Sequence, residues 1–205
     1  MASYPLHSII LAAGAGQRLG YPKALLKLKE QLTLPLICQT FKQAGCKHLS
    51  VVIRPEHEDY FIDLGFGAHE LVINPSPQQG RTSSLLCALK RVGHDHNLLI
   101  HSCDIPLISS DAVRKLINAW KTNDVPQQSI ARFVSPGGKG GHPLLVGCGH
   151  LQSLLGFKPD QPLRELLVQN PDKILNVTHA GDPGPFLGIN TTEQLALVES
   201  LLDNS

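Results

Sequence analysis

The chain has 205 residues, of which 42% are hydrophobic and 17% charged, enough for one compact domain over residues 1–205. Its 18 basic and 17 acidic residues leave a formal charge of +1, and the basic residues are scattered, which disfavours nucleic-acid binding. The apolar runs are short, so the sequence predicts neither a membrane span nor a signal peptide. The 5 cysteines contain no C-x-x-C pair, which disfavours disulfides or structural zinc and is typical of a cytoplasmic protein with reduced thiols.

Apolar and amphipathic segments alternate from the beginning of the chain. The first, Leu6–Ala13, reads as a buried strand, and Leu34–Ala44 reads as a helix with Pro35 near its start and Gly45 just past its end. The next four segments are predicted as strand, helix, strand and helix: Leu49–Ile53, Glu56–Leu64, Glu70–Ile73 and Thr82–Val92.

The alternation continues through the second half. Asn97–Ser102 reads as a strand, and Asp111–Trp120 has apolar residues at the spacing of one helix face. The last helix is predicted to begin at Thr191, where Thr191 and Gln194 fit a capping box. Between them we predict a strand, a glycine-rich loop, a helix and a strand: Ser129–Val134, Ser135–Gly141, Leu163–Val168 and Ile174–Val177.

Strands that alternate with helices predict an α/β fold of Rossmann-like type, with a mostly parallel sheet covered by helices on both faces. Ligands of such sheets bind beyond the carboxyl ends of the strands. Residues that directly follow each predicted strand are therefore the candidate functional residues.

A glycine-rich segment, LAAGAGQRLGYPK, runs from residue 11 to residue 23, directly after the first strand. Gly14 and Gly16 allow the backbone to approach a ligand closely, and the N–H groups of such a loop can bind phosphate oxygens. Arg18 and Lys23 add positive charge. The segment predicts a site for a phosphorylated ligand.

A carboxylate follows the strand Asn97–Ser102, within the sequence CDIPL. Asp104 is therefore placed at the carboxyl edge of the sheet, where it can hold a cation. Mg²⁺ prefers oxygen ligands and is often bound by one or two carboxylates together with substrate phosphates. The alternative is a structural role for Asp104, as a cap of the turn before Ser109.

The segment L-A-A-G-x-G-x-R-x-G-x-x-K, followed by D-x-P-L at residues 104–107, resembles the MobA-like NTP transferase family, most closely its molybdenum cofactor cytidylyltransferases. The resemblance implies a GT-A-like nucleotidyltransferase domain whose first loop wraps the NTP phosphates. It assigns Arg18 and Lys23 as catalytic cations. The nucleotide-binding residues that it implies in this loop are Leu11, Ala12, Ala13, Gly14 and Gly16.

The resemblance extends to three later segments. Gly80, Ser83 and Ser84 match a nucleotide-binding segment, although the two serines also suit a helix N-cap. His142 matches a G-H-P segment near the acceptor, and its structural alternative is an exposed histidine in a hairpin. Asn190 stands where the family has its second metal-binding aspartate, and its structural alternative is an ordinary turn residue before the last helix.

The implied reaction is the magnesium-dependent transfer of a nucleoside monophosphate from CTP to a molybdopterin-type acceptor, with release of pyrophosphate and delivery of the product to a molybdoenzyme. The residues by themselves indicate only an NTP and an anionic acceptor. A phosphate acceptor is already anionic, which agrees with the absence of an evident Ser/His/Asp or Cys/His nucleophile set.

Two alternatives stay open at this point. A sugar phosphate or another phosphorylated alcohol would use the same motifs as an acceptor. A non-catalytic protein that binds and delivers a nucleotide or cofactor would explain Gly188 and Gln194, which depart from the family pattern. A dinucleotide-binding oxidoreductase is disfavoured, because Leu19 stands where that fingerprint requires glycine.

Overall fold

The computed structural model describes residues 5–93 and 95–203; residues 1–4, on which the prediction about a signal peptide partly rests, lie outside these ranges. The described strands are β1 (Leu6–Leu11), β2 (Lys27–Leu28), β3 (Gln31–Leu32), β4 (His48–Ile53), β5 (Leu71–Ile73), β6 (Asn97–Ser102), β7 (Ile130–Val134), β8 (Gly140–Val146) and β9 (Ile174–Thr178). The described α-helices are α1 (Thr33–Gln43), α2 (Glu58–Asp63), α3 (Arg81–Val92), α4 (Ser110–Lys121), α5 (Leu151–Leu155), α6 (Glu165–Gln169) and α7 (Thr192–Asp203).

The main sheet has the strand order β5-β4-β1-β6-β8-β7-β9, while β2 and β3 form a separate short ribbon. Every strand of the main sheet runs parallel to β1 except β8, which pairs antiparallel with both β6 and β7. The chain order reverses between β1 and β6. A crevice at such a reversal, beyond the carboxyl ends of the strands, is the usual ligand site of an open α/β sheet.

Successive residues of the strands point into two different cores. Ile10 of β1 belongs to a core formed with helices α1, α2 and α4, which cover one face of the sheet. The next residue toward the amino end, Ile9, belongs to the opposite core, formed with α3, α5 and α6. The predicted fold, a mostly parallel sheet with helices on both faces, is confirmed. Within the described ranges, no helix is both long and apolar enough to span a bilayer.

The predicted loop Ser135–Gly141 was wrong at its carboxyl end, because Gly140 begins the strand β8. Glycines and Pro143 obscured this strand in the sequence. Gly141 is required by packing, since a Cβ at this position would lie 2.6 Å from the ring of Phe186. His142 therefore lies on a strand next to β6 and not at the tip of a hairpin.

Three histidines gather at the amino-terminal edge of the sheet. His7 of β1 stacks on His48 of β4 with ring centroids 6.1 Å apart, and its ring lies 5.6 Å from that of His96, just before β6. Its Nε2 atom is 2.9 Å from Oγ of Ser50. Burial, together with the neighbouring His96 and His48, lowers the pKa of His7 to about 4.

The free energy of unfolding is expected to decrease as the pH falls from 6.5 toward 4. In this interval the unfolded chain takes up a proton at His7 that the folded state resists, so the stabilisation present above pH 6.5 is progressively lost. His7→Gln should reduce the difference in stability between pH 7 and pH 5 by about 1 kcal/mol, allowing for solvent screening of a partly exposed ring. Urea unfolding at both pH values measures it; an unchanged difference would contradict the role of His7.

Candidate active site

The glycine-rich segment folds back on itself after β1. Gly16 has a φ of +63°, and a Cβ there would lie 1.9 Å from the carbonyl oxygen of Tyr21, so only glycine fits. The N–H of Lys23 donates to the carbonyl of Gly14 (3.1 Å), and a Cβ on Gly14 would lie 3.2 Å from Cδ of Lys23. The two glycines thus bring Lys23 back to the end of β1.

Lys23 joins two side chains from distant parts of the chain. Its Nζ donates to Oδ2 of Asp104 and, at 2.6 Å, to Oδ1 of Asn190, which is 167 residues away. The backbone holds the segments of Asp104 and Asn190 together, because the N–H of Ile189, next to Asn190, donates to the carbonyl of Asp104 at 2.7 Å. The oxygens of Asp104 and Asn190 therefore lie close enough to contact one cation.

The predicted capping box forms in a shifted arrangement that also fixes Asn190. Thr191 precedes α7, and its Oγ1 accepts a hydrogen bond from the N–H of Gln194 at 3.3 Å. The Gln194 side chain returns to the N–H of Asn190 (2.7 Å) and not to that of Thr191. Gln194, a departure from the family pattern, thus positions Asn190.

Asp104 is 1% exposed and faces two positive charges. Its Oδ2 also lies 3.2 Å from Nη2 of Arg81, the first residue of α3. Burial by itself would raise the pKa of Asp104, but Lys23 and Arg81, with hydrogen bonds from Lys23 and Ser102, lower it below its usual value. Asp104 is therefore a buried carboxylate held in its ionised form.

The oxygens of this cluster fit a divalent cation. Oδ1 of Asp104 is buried and has no hydrogen-bond partner among the described residues, and Oδ1 of Asn190 is held by the ammonium of Lys23. A carboxylate and an amide carbonyl are hard oxygen ligands. Within the described ranges, no group of three or more His, Cys, Asp or Glu side chains is arranged to hold a metal. Asp104 and Asn190 are therefore the residues of this cluster that could hold a divalent cation.

A cavity of about 120 Å³ opens beside this cluster and is here called the nucleotide cavity, because several residues predicted to bind the nucleotide line it. The predicted residues that line it are Leu11, Ala13, Gly14, Lys23, Gly80 and Ser84. Three further lining residues carried no predicted role: Pro77, Arg81 and Ser102. The loop after β1 and the start of α3 therefore face each other across one space.

Four other predicted residues of the nucleotide site do not line this cavity. Ala12 is fully buried, and Gly16 shapes the loop. Ser83 is buried too, and its hydroxyl donates to the carbonyl of Gly80 at 2.7 Å, which stabilises the turn before α3. Arg18 is exposed, and its side chain has no hydrogen bond or ion pair within the described part of the chain.

Sequence reasoning missed Arg81, although it directly follows Gly80, where φ is +105°. The sequence signal for Arg81 is a cation at the first position of α3, directly after an N-cap residue, Gly80, that has no side chain. Its role depends on contact with Asp104, and sequence spacing does not reveal that contact. Arg81 therefore joins Lys23, Asp104 and Asn190 in one cluster, here called the charged cluster, and comes from a separate segment.

Asn74, which directly follows β5, holds Ser83 and Ser84 in place. Its Nδ2 lies 2.9 Å from Oγ of Ser83 and 2.9 Å from Oγ of Ser84, and its Oδ1 accepts from the N–H of Ser76 at 2.9 Å. Asn74 is 1% exposed. A single buried amide therefore links β5 to the turn that carries Gly80.

Asn74→Ala is expected to lower the free energy of unfolding by about 2 kcal/mol, because it leaves buried hydrogen-bonding groups without partners. The midpoint of thermal unfolding should fall by about 4–8 °C in a chain of this size. The matched control is Asn118→Ala, at an exposed position of α4, and should change neither quantity measurably. Equal midpoints for the two variants would show that the Asn74 bonds do not stabilise the fold.

A second cavity, of about 220 Å³, lies next to the first and is here called the arginine cavity. The two cavities share Leu11, Arg81 and Ser102. His142 lines the arginine cavity, and burial, followed by the charge of Arg81, lowers its pKa to about 4. His142 is therefore neutral at pH 7. The remaining lining residues are Ile100, Arg132, Gly140, Gly141, Leu144, Leu163, Arg164 and Leu167.

Two relatives match the chain over most of its length. The "Nicotine blue oxidoreductase" of Paenarthrobacter nicotinovorans is 24% identical, and the match covers 91% of this chain and 93% of that protein. The "Probable molybdenum cofactor guanylyltransferase" of Bacillus subtilis is 23% identical, with 94% of each chain covered.

A solved structure has the same fold: the manganese complex of Rv0371C from Mycobacterium tuberculosis H37Rv, with a TM-score of 0.71, 18% identity, and 97% of this chain and 100% of that chain covered. The model of the MobA-like NTP transferase domain matches residues 8–174, which include the loop after β1, Gly80, Asp104 and His142. The chain therefore belongs to the MobA-like NTP transferase family, and it is a nucleotidyltransferase.

Proposed function

We propose that this chain transfers a nucleoside monophosphate from CTP, with Mg²⁺, to the phosphate of a molybdopterin-type acceptor and releases pyrophosphate. The observation that carries the proposal is the meeting of Lys23, Arg81, Asp104 and Asn190, from four separate segments, beside the nucleotide cavity. Cations and oxygen ligands around one space are what the transfer of a phosphoryl group between two anions requires.

Each of these residues has a definable task. Asp104 and Asn190 would hold the magnesium ion, which when bound neutralises charge on the triphosphate and orients it. Lys23 lies between their oxygens and would move to the phosphates. The backbone of Gly14 lines the same cavity, where its N–H can contact a phosphate oxygen. Arg18, exposed on the same loop, would add positive charge for the leaving pyrophosphate.

The chemistry requires no protein nucleophile. An oxygen of the acceptor phosphate attacks the α-phosphorus of the NTP, the bond from the α-phosphorus to the β-phosphate oxygen breaks, and pyrophosphate leaves with that electron pair. Arg81 lines both cavities, so it is placed to offset the charge of two phosphates that meet there. His142 is neutral and would donate or accept a hydrogen bond to the acceptor.

The choice of the nucleotide base and of the acceptor in this proposal is supported by relatives and by sequence motifs. The first loop resembles that of cytidylyltransferases, whereas the Bacillus subtilis relative is named as a guanylyltransferase. Ser84 and Gly80, which line the nucleotide cavity, would contact the ribose or base. We propose that the enzyme is cytoplasmic, which agrees with the free thiols of all five of its cysteines. We also propose that it passes its product to a molybdoenzyme.

Pyrophosphate release tests this proposal. Purified protein, Mg²⁺ and molybdopterin cofactor are combined with CTP, GTP, ATP or UTP, and the protein without acceptor is the blank. Release that requires the acceptor, Mg²⁺ and one preferred base, expected to be cytosine, supports the proposal. NTP binding without release would favour a delivery protein instead.

A second chemistry is measured in the same samples, because one relative is named as an oxidoreductase. NAD(P)H oxidation with an aromatic acceptor, in the absence of pyrophosphate release, would contradict the proposed transfer.

A further inference from the structure

A histidine lies in the interior of the molecule, on the strand that leads to Asp104. His101 of β6 is fully buried, and the residues two positions away on either side, Leu99 and Cys103, belong to the apolar core formed with α1, α2 and α4. The Nδ1 atom of His101 has no hydrogen-bond partner among the described residues. A buried polar atom without a partner destabilises a fold, so packing alone would favour an apolar side chain at this position.

The other ring nitrogen of His101 forms a hydrogen bond beside the charged cluster. Its Nε2 lies 2.9 Å from the backbone carbonyl oxygen of Ile105, the residue that directly follows Asp104. A carbonyl can only accept a hydrogen bond, so Nε2 carries the ring proton and donates it. Burial, together with the neighbouring His142, lowers the pKa of His101 to about 3, so the ring is uncharged at pH 7.

The turn of residues 102–105, which carries Asp104, is held by three hydrogen bonds. The N–H of Ile105 donates to the carbonyl of Ser102 at 3.1 Å, and the carbonyl of Asp104 accepts from the N–H of Ile189 at 2.7 Å. These two bonds fix the peptide group between residues 104 and 105. The next peptide group precedes Pro106 and has no N–H, so its carbonyl is the only polar group by which it can be held. That carbonyl is the acceptor of the His101 bond.

Aromatic neighbours fix the direction in which His101 donates. Its ring centroid lies 5.2 Å from that of Phe41 of α1, which is fully buried. On β8, the ring of His142 lies 5.8 Å away and is nearly perpendicular, at 84°. A donor packed between two rings has little freedom to move. This restraint matters at a reactive centre, where a displacement of about 1 Å can reduce a rate about a hundredfold.

We infer that His101 is a positioning residue for Asp104: its hydrogen bond to Ile105 fixes the turn of residues 102–105 and thereby the direction of the Asp104 carboxylate. His101 lines neither the nucleotide cavity nor the arginine cavity, so it acts through the turn and not on a substrate. The inference rests on the proposed function, since it concerns the carboxylate that would hold the cation. It explains why a polar ring is kept in an apolar core.

Two substitutions at His101 separate the hydrogen bond from the packing. His101→Phe keeps a flat ring against Phe41 but removes the donor, whereas His101→Gln keeps an N–H group that can reach Ile105. Hydrogen exchange of the N–H of Ile189, measured by NMR without metal or nucleotide, monitors the turn. We expect this exchange to be about tenfold faster in His101→Phe, on the scale of one lost hydrogen bond, and within about threefold of the unmodified chain in His101→Gln.

An internal reference distinguishes a loosened turn from a fold that is less stable everywhere. The N–H of Val51 donates to the carbonyl of Glu70 at 2.7 Å, and Val51 is fully buried in β4. General destabilisation would accelerate exchange at Val51 and Ile189 alike. We expect His101→Phe to accelerate exchange at Ile189 more than at Val51.

Metal binding and turnover are measured on the same variants. The affinity of the nucleotide-free protein for Mn²⁺ and the rate of pyrophosphate release should both fall about tenfold or more in His101→Phe, and stay within about threefold in His101→Gln. The thermal stability should follow the opposite order, because His101→Gln buries an amide in an apolar core. A purely structural role would instead make binding and turnover follow the thermal stability.

The matched control is His150→Phe. His150 is also buried, and its Nε2 lies 2.9 Å from the carbonyl oxygen of Gln128. It follows the carboxyl end of β8, which is antiparallel to β6 and therefore ends at the opposite edge of the sheet from Asp104. The control should leave the Mn²⁺ affinity, the rate of pyrophosphate release and the ratio of exchange at Ile189 to that at Val51 unchanged.

Equal exchange of Ile189 in the two His101 variants, or binding and turnover that follow their thermal stability, would overturn the inference. An effect of His150→Phe as large as that of His101→Phe would overturn it too. If the unmodified chain neither binds Mn²⁺ nor releases pyrophosphate, the proposed function fails, while the exchange rates still decide whether His101 holds the turn.

Discussion

Asp104→Ala is expected to reduce pyrophosphate release by roughly a hundredfold or more while the chain remains folded. Asp104 provides the carboxylate of the charged cluster, and its buried Oδ1 has no hydrogen-bond partner in the part of the chain that the structure describes. The variant leaves the ammonium of Lys23 bound to Asn190 but removes the negative charge that a divalent cation requires. The rate of pyrophosphate release measures the loss, and circular dichroism verifies the fold.

The matched control is Asp111→Ala, which removes an exposed carboxylate whose partner is Arg114 on the same helix. It should retain the full rate. Asp104→Asn keeps the shape of the side chain and removes its charge, so it should lose nearly as much activity as Asp104→Ala. A rate near that of the unmodified chain in either Asp104 variant would refute the proposed role in metal binding.

Lys23→Met is expected to have two effects of opposite sign. Pyrophosphate release should fall roughly a hundredfold or more, because the triphosphate loses a cation. In the absence of nucleotide, the affinity for Mn²⁺ should instead increase several-fold. Nζ of Lys23 occupies the space between Oδ2 of Asp104 and Oδ1 of Asn190, and a metal ion has to displace it.

Titration calorimetry with Mn²⁺ on the nucleotide-free protein measures the second effect. Lys27→Met serves as the control, since Lys27 is exposed on β2 and its partner is the exposed Glu30. It should change neither the rate nor the Mn²⁺ affinity. Weaker Mn²⁺ binding in Lys23→Met would mean that the ammonium does not compete with the ion.

The sequence predicted the fold well where its pattern reflects burial. The strand Asn97–Ser102 is fully buried, and its predicted bounds match the structure. The helix predicted over Asp111–Trp120 has its apolar face in the core and lies within α4. The strand β8 was missed, because Gly140, Gly141 and Pro143 have low strand propensity, although Gly141 allows the strand to pack closely against Phe186.

The candidate site was predicted only as far as single segments allow. Lys23 and Asp104 each follow a strand, so their place at one sheet edge follows from a parallel sheet. Arg81 carries no such signal, and its contact with Asp104 depends on the angle at which α3 begins. Ser84 lines the nucleotide cavity and Ser83 does not, a difference that the sequence could not predict, since adjacent hydroxyls at a helix start are alike in sequence and only packing separates them.

A double-mutant cycle on Asp104→Asn and Asn190→Ala tests the central claim, that side chains from distant segments act on one metal–nucleotide complex. The measured quantity is the affinity for CTP at saturating Mg²⁺, by titration calorimetry. If both oxygens serve the same ion, the second substitution should cost little once the first is present, and the two effects should be strongly less than additive. Fully additive losses, or an unchanged affinity in Asn190→Ala, would contradict the account.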